Sequence, residues 1–183
     1  MALVPMQTAW LPAVMEVQAQ AYAGLPVLEP IEFFANRQQL APEGCQLVLE
    51  GGQVAGYLVS YPWDDGLPPA LGATLNALPP ARRHWFIHDC AVNPRWQGRG
   101  VARQLLQAVE RTAQRLQVRS IRLVSLAGAN GYWHRQGFRP VQPGCPHETR
   151  RLREKLAGYG EGACLMQRPV PQAPFPATVP KQG

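Results

Sequence analysis

The sequence predicts a mixed α/β domain, and three observations carry that prediction. Two largely apolar runs, Cys45–Glu50 and Val54–Tyr61, flank Gly51-Gly52, a dipeptide suited to a tight hairpin turn. Val101, Leu105, Ala108, Val109, Thr112, Ala113 and Leu116 recur at helical spacing. Between them, Trp85–Val92 is dense in β-branched and aromatic residues and runs through a proline turn into a glycine-rich loop.

In chain order, Val14, Val17, Gln18, Ala21 and Tyr22 suggest a first helix and Ile31–Leu40 a second, with a turn at Gly24–Pro30 between them. The hairpin follows, with Tyr61-Pro62-Trp63 closing its second strand. From Asp64 to Ala81 come four prolines, two glycines and a short apolar piece, Leu71–Leu78. Such an insertion is either a substrate loop or a packed surface loop. After Trp85–Val92 and the helix beginning at Val101, Ile121–Leu126 reads as another strand and Ala129–Arg135 as a short helix. A charged segment, His147–Leu156, precedes Gly158-Tyr159-Gly160-Glu161-Gly162 and a last strand at Ala163–Arg168. Residues 1–168 are expected to form one domain. From Pro169 onward, prolines alternate with small and polar residues, so 169–183 is expected to be a disordered tail that buries too little apolar area to offset ordering.

Composition narrows the function. The 183 residues, 46% of them hydrophobic, suit a single globular domain. No apolar run approaches the roughly 20 residues that span a bilayer, and Met1–Trp10 lacks a basic start with an apolar middle. Cys45, Cys90, Cys145 and Cys164 are widely spaced, which reads as reduced thiols of a cytoplasmic protein, without a metal site or a disulfide framework. The formal charge of +6 is spread along the chain with no aromatic–basic stripe, so neither nucleic acid nor membrane is expected as a partner.

The chemistry sits after the strand Trp85–Val92. Two glycines and two arginines in Arg95-Trp96-Gln97-Gly98-Arg99-Gly100 open a helix whose first N–H groups lack intrahelical acceptors. With the helix macrodipole, they make an anion site. The loop lacks the Lys-Ser/Thr ending of a nucleoside-triphosphate loop. Its pattern, Gln97-x-x-Gly100-x-Ala102 after Ala91-Val92-x-Pro94, resembles the acyl-coenzyme A loop of the GCN5-related N-acetyltransferase (GNAT) superfamily. Further on, Tyr132-Trp133-His134-Arg135-Gln136-Gly137-Phe138 is similar to that family's Leu-Tyr-x-x-x-Gly-Phe signature, with Gly137 as helix C-cap.

The resemblance implies a GNAT fold: a twisted, mostly antiparallel sheet of about seven strands, splayed at strands 4 and 5 and flanked by about four helices. It implies acetyl-CoA as co-substrate, no metal, and transfer of the acetyl group directly to a primary amine on a small molecule or a peptide, the small molecule slightly favoured. A homodimer is common in the superfamily. The pantetheine arm would run along the main chain of Cys90, Ala91 and Val92, with the Val92 N–H polarising the thioester carbonyl. Loop amides from Gln97, Gly98, Arg99, Gly100, Val101, Ala102 and Arg103 would take the pyrophosphate, and the Arg99 and Arg103 side chains would add charge. Asn130 and Trp133 complete the expected cofactor contacts.

Strict alternation along the strand puts Phe86, His88, Cys90 and Val92 on one face and Asp89 and Ala91 on the other. His88 is the first candidate base, since an imidazole titrates near neutrality, and Asp89 the second. Two departures from the family stand out. Trp133 occupies the place of the thiolate-protonating tyrosine, and indole has no proton to give at useful pKa. Tyr132, about 100° around the helix, is the substitute candidate. Leu126 stands where the family often has asparagine. These departures motivate a second reading, a non-catalytic acyl-CoA sensor of the same fold. On the acceptor side, Trp63, Asp64, Asp65 and Leu67–Leu78 are candidate lining.

Overall fold

Gly51 and Gly52 adopt φ of +56° and +77°, the left-handed pair that a tight hairpin turn needs, and they close β2 (Cys45–Glu50) onto β3 (Gln53–Trp63). The computed structural model describes residues 1–25 and 28–171. Pro26 and Val27 of the expected turn, and residues 172–183 of the expected tail, lie outside the described residues.

The hairpin sits inside a seven-stranded sheet ordered β1-β2-β3-β4-β5-β7-β6. Its other members are β1 (Ala2–Pro5), β4 (His84–Val92), β5 (Ser120–Ser125), β6 (Arg139–Pro140) and β7 (Cys164–Pro169). All neighbours pair antiparallel except β4 and β5, which run parallel. The parallel pair needs a crossover, supplied by α3 (Val101–Arg115). The remaining helices are α1 (Leu11–Ala21), α2 (Ile31–Leu40), α4 (Asn130–Arg135) and α5 (Pro146–Ala157), so the described residues form five α-helices where about four were expected. The fifth, α5, is the charged segment; it buries no residue fully, which is why no apolar stripe announced it. β7 runs through Pro169 and Val170 is buried, so the folded part continues past residue 168. No helix among the described residues is long and apolar enough to cross a membrane.

Each face of the sheet has its own core. Trp85, Ile87, Leu105, Val109, Leu123 and Phe138 pack on the α3 side. Val14, Phe33, Phe34, Leu47, Tyr57 and Phe86 pack on the α1–α2 side.

Two irregularities of β4 create the site. First, β4 and β5 pair only from His84–Ile87 against Ser120–Leu123; beyond that point β5 pairs with β7 alone, and the two strands part. Second, Val59 pairs with Asp89 whereas Ser60 pairs with Ile87, which leaves His88 as the extra residue of a β-bulge. The bulge overturns the strict alternation expected for β4. Cys90 and Val92 stay on the α3 side with Ile87, but His88 and Asp89 both face α1 and α2, with Phe86 and Ala91.

Candidate active site

The loop leaving β4 is anchored before it opens. The Asn93 N–H donates to the Ala55 carbonyl (2.9 Å), its side-chain oxygen accepts from the Arg95 N–H (3.0 Å), and its amide donates to Gln20 (2.8 Å). Gly98 and Gly100 then take φ of +75° and +85°, conformations that cost a side-chain-bearing residue strain. The Gln97 and Arg99 N–H groups fold back onto the Pro94 and Trp96 carbonyls (3.4 and 3.3 Å), so the expected row of free amides is interrupted at these two residues. Among the described residues, the Gly98, Gly100, Val101, Ala102 and Arg103 amides have no protein acceptor. The start of α3 rests on β3 at Gly56. A methyl group there would come within 2.7 Å of Val101 Cγ1 and 2.8 Å of the Ala91 carbonyl.

A cavity of about 910 Å³ runs from this loop, past the parting of β4 and β5, to the α1–α2 side. Cys90, Val92, Gln97, Gly98, Gly100, Val101, Ala102, Arg103 and Trp133 reach its wall, as do His88, Asp89 and Tyr132. Three expected cofactor contacts do not. Ala91 pairs with Tyr57 and is buried in the α1–α2 core, Arg99 is exposed and does not line the cavity, and Asn130 donates to the Gly162 carbonyl (3.4 Å). Trp96 joins the wall although nothing in its sequence position marked it. Because the Asn93 N–H is bonded to Ala55, ladder alternation turns the Val92 N–H away from β3 and into the gap toward β5.

The deep end of the cavity holds two hydrogen-bonded carboxylates. Glu29, between α1 and α2, is fixed by reciprocal bonds of its backbone with the Gln18 amide (2.9 and 2.7 Å). Its Oε1 lies 2.7 Å from His88 Nε2, and Oε2 accepts from the Gly72 N–H (2.6 Å). His88 Nδ1 is 2.6 Å from the Tyr61 hydroxyl. Both ring nitrogens are therefore occupied, and the imidazole has no free lone pair for a substrate proton. Asp89 accepts from the Tyr22 hydroxyl at Oδ1 (2.5 Å) and from Tyr57 at Oδ2 (2.7 Å). Burial raises the Asp89 carboxyl above its ordinary range, against the opposing pull of the two tyrosine bonds. Tyr22 and Tyr57 are held well above theirs, by burial first and the Asp89 charge second. Glu29, Tyr22, Tyr57 and Tyr61 were not expected at the site. They lie in a turn, a helix end and a strand, and only tertiary structure brings them together.

On the α3 side, Gly137 (φ +85°) donates to the His134 carbonyl (3.0 Å) and Phe138 to that of Trp133 (3.1 Å), a Schellman cap. Such a cap brings the third residue from the helix end against the second residue beyond it, and Trp133 indeed packs edge-on against Phe138 at 5.3 Å. Trp133 is thus committed largely to the core. Tyr132 is half-buried on the cavity wall, and burial, then the neighbouring Cys90, raises its hydroxyl pKa. Burial also pushes the Cys90 thiol up to about 12, so it stays protonated.

The Asp64–Ala81 insertion is a strap with anchored ends. The Tyr159 hydroxyl donates to the Pro69 carbonyl, Asn36 exchanges two bonds with the Leu75 backbone (2.9 Å each), and Arg37 donates to the Ala73 carbonyl (2.7 Å). Of the expected acceptor-side residues, Leu71 alone reaches the cavity. Asp65 is instead engaged by Arg83 (2.5 Å) and His84 (2.7 Å), Asp64 closes a local turn on the Gly66 N–H (2.7 Å), and the Trp63 indole donates to Leu67 (3.1 Å). Among the described residues, no group of three or more His, Cys, Asp and Glu side chains could hold a metal ion.

This geometry can be set beside known proteins. No curated protein matches the chain significantly by sequence. Several solved structures share its fold. The loading GNATL domain of CurA from Lyngbya majuscula superposes with a TM-score of 0.71 at 11% identity, covering 92% of this chain and 97% of that one. The ribosomal-protein-S18-alanine N-acetyltransferase from Escherichia coli gives 0.61 at 18% identity, with coverage of 95% and 96%. Rv2747 from Mycobacterium tuberculosis, in complex with CoA, gives 0.66 at 14%, with coverage of 93% and 100%. Residues 11–138 match the model of the acetyltransferase (GNAT) family, and with the parted β4–β5 pair and its glycine loop in place, the chain belongs to that family.

Proposed function

We propose that the protein is an N-acetyltransferase that moves the acetyl group of acetyl-CoA directly to a primary amine. One observation carries this reading: a single cavity joins free helix-start amides to a strand edge left open by the β4–β5 parting and, beyond it, to buried carboxylates. A neighbour of this fold is named for N-acetyl transfer and another is in complex with CoA, which supports the same assignment.

In this mechanism the Gly98, Gly100, Val101, Ala102 and Arg103 amides, with the Arg103 guanidinium, hold the diphosphate. The Val92 N–H points to the thioester oxygen. Asp89 takes the ammonium proton, since a carboxyl raised by burial is a better base than an exposed one. The freed amine attacks the thioester carbon, the oxyanion is met by Val92, and collapse breaks the C–S bond while the nitrogen gives up its second proton to solvent. Tyr132, which burial keeps protonated, gives its proton to the departing sulfur. His88 serves as a positioning residue that ties Glu29 to Tyr61. Thermal stabilisation by acetyl-CoA, followed by thiol release across a panel of amines, tests the reading. Stabilisation with release supports it. Stabilisation without release from any amine would favour the sensor, and no stabilisation overturns cofactor binding.

A further inference from the structure

We infer that the acceptor is a small primary amine with an apolar body and no carboxylate group. This inference rests on the transferase reading above and adds the substrate class to it.

Charge gives the first argument. Glu29 and Asp89, 4% and 8% exposed, face the acceptor half of the cavity, and Glu161 stands exposed at its rim. Each buried carboxylate oxygen already accepts one hydrogen bond, and its second lone-pair site remains to receive an ammonium N–H. Among the described residues, Arg103 is the only lysine or arginine on the cavity wall, and it stands at the loop end. An ammonium head is therefore matched, whereas the carboxylate of a free amino acid would be buried against like charge without a cation.

Closure gives the second. The strap and the turn after α5 meet where Tyr159 bonds Pro69, and both Tyr159 and Leu71 line the cavity. The strap is pinned from beneath by Gly72 on Glu29, Leu75 on Asn36 and Ala73 on Arg37. A polypeptide acceptor would need an open groove along which the chain continues, and the Tyr159–Pro69 bridge would stand in the way of such a groove. With Tyr22 and Leu25, Tyr159 and Leu71 give the acceptor half apolar sides.

Size gives the third. The entire cavity, about 910 Å³, lies near the top of the ~300–1,000 Å³ range of single small-molecule sites. The cofactor arm must share that space, which leaves room for a compact acceptor only.

The test is a thiol-release assay with saturating acetyl-CoA and four acceptors of related shape: 2-phenylethylamine, L-phenylalaninamide, L-phenylalanine and a tetrapeptide beginning with phenylalanine. The expected kcat/KM for 2-phenylethylamine exceeds that for L-phenylalanine by about 100-fold or more, the scale on which sites reject unpaired polar groups. The amide should fall between them and the tetrapeptide should be inert. Leu71→Arg, which supplies the missing cation, should raise L-phenylalanine about tenfold relative to 2-phenylethylamine. Should that variant lose stabilisation by acetyl-CoA, the wild-type ratio decides alone. Equal or faster turnover of the amino acid or the tetrapeptide overturns this inference and leaves the transferase reading standing. Failure of all four acceptors, and of a wider amine panel, in a protein that binds acetyl-CoA overturns both.

Discussion

Gly56→Ala probes the contact that holds the anion loop in place. A Cβ at residue 56 would lie 2.7 Å from Val101 Cγ1, against an ordinary carbon–carbon contact of ~3.5–4.0 Å, so about 1 Å must be found. Val101 is fully buried and cannot swing clear, and the Ala91 carbonyl at 2.8 Å belongs to the β3–β4 ladder. The start of α3 therefore moves, at an overpacking cost of about 1–3 kcal/mol. A shift near 1 Å stretches amide–phosphate bonds of ~2.9 Å past the ~3.5 Å at which they cease to count. Losing one charge-assisted bond costs about 1.5–3 kcal/mol. At 1.4 kcal/mol per tenfold, acetyl-CoA should then bind about ten- to a hundredfold more weakly by titration calorimetry. Gly52→Ala is the control. Its positive φ of +77° costs strain of about 1–2 kcal/mol, but no atom lies within 4 Å and the loop is untouched. If Gly56→Ala lowers stability yet leaves the Kd for acetyl-CoA unchanged, the positioning argument is wrong.

Asp89→Asn should lower kcat by about 10²–10³-fold while leaving Tm near neutral pH unchanged or higher. The sign follows from linkage: its folded-state pKa is raised, so ionised Asp89 costs stability above that pKa, and the cost vanishes as pH falls through it. Tyr22→Phe removes a bond that lowers the Asp89 pKa, so the acid limb of the kcat/KM–pH profile should move to higher pH; a shift to lower pH contradicts the assignment of the base. Tyr132→Phe should reduce kcat with acetyl-CoA affinity retained, whereas Trp133→Ala should cost about 3–5 kcal/mol in urea unfolding because its ring fills the core against Phe138. His84, held below its ordinary pKa chiefly by burial, favours its neutral form in the fold. Stability should therefore drop as pH falls below about 6.5 and continue to drop through the folded pKa, and His84→Gln should flatten that part of the curve.

How much of this was legible depends on whether the controlling forces were local. β2 and α2 match their expected bounds residue for residue, since turn residues and periodic apolar side chains mark them. The loop conformation at Gly98 and Gly100 was equally readable, because few residues besides glycine hold a positive φ. β1 was missed. It is four residues long, ends in Pro5, and exists because β2 offers an edge to pair with. α5 was missed because it gains little from burial. Glu29 was missed because a single carboxylate in a Pro-flanked turn has no pattern; its place is set by Gln18 on one side and His88 on the other.

The bulge in β4 decides the division of labour at the site. In a regular strand His88 and Asp89 would face opposite sides of the sheet, and only one of them could reach α1 and α2. One extra residue turns both to the same side. There the imidazole, flanked by Phe33 and Phe86, is fully bonded between Glu29 and Tyr61, so it is spent on structure. The carboxylate beside it keeps two lone-pair sites and a pKa raised by burial. On the proposed mechanism, the same local distortion takes the histidine out of proton transfer and offers the aspartate for it, a reversal of the order that residue type alone suggests. Because that order rests on hydrogen-bond occupancy, Tyr61→Phe isolates it: freeing His88 Nδ1 should leave the kcat of Asp89→Asn as low as before if the imidazole is only a strut, and should partly restore it if the imidazole can accept the proton.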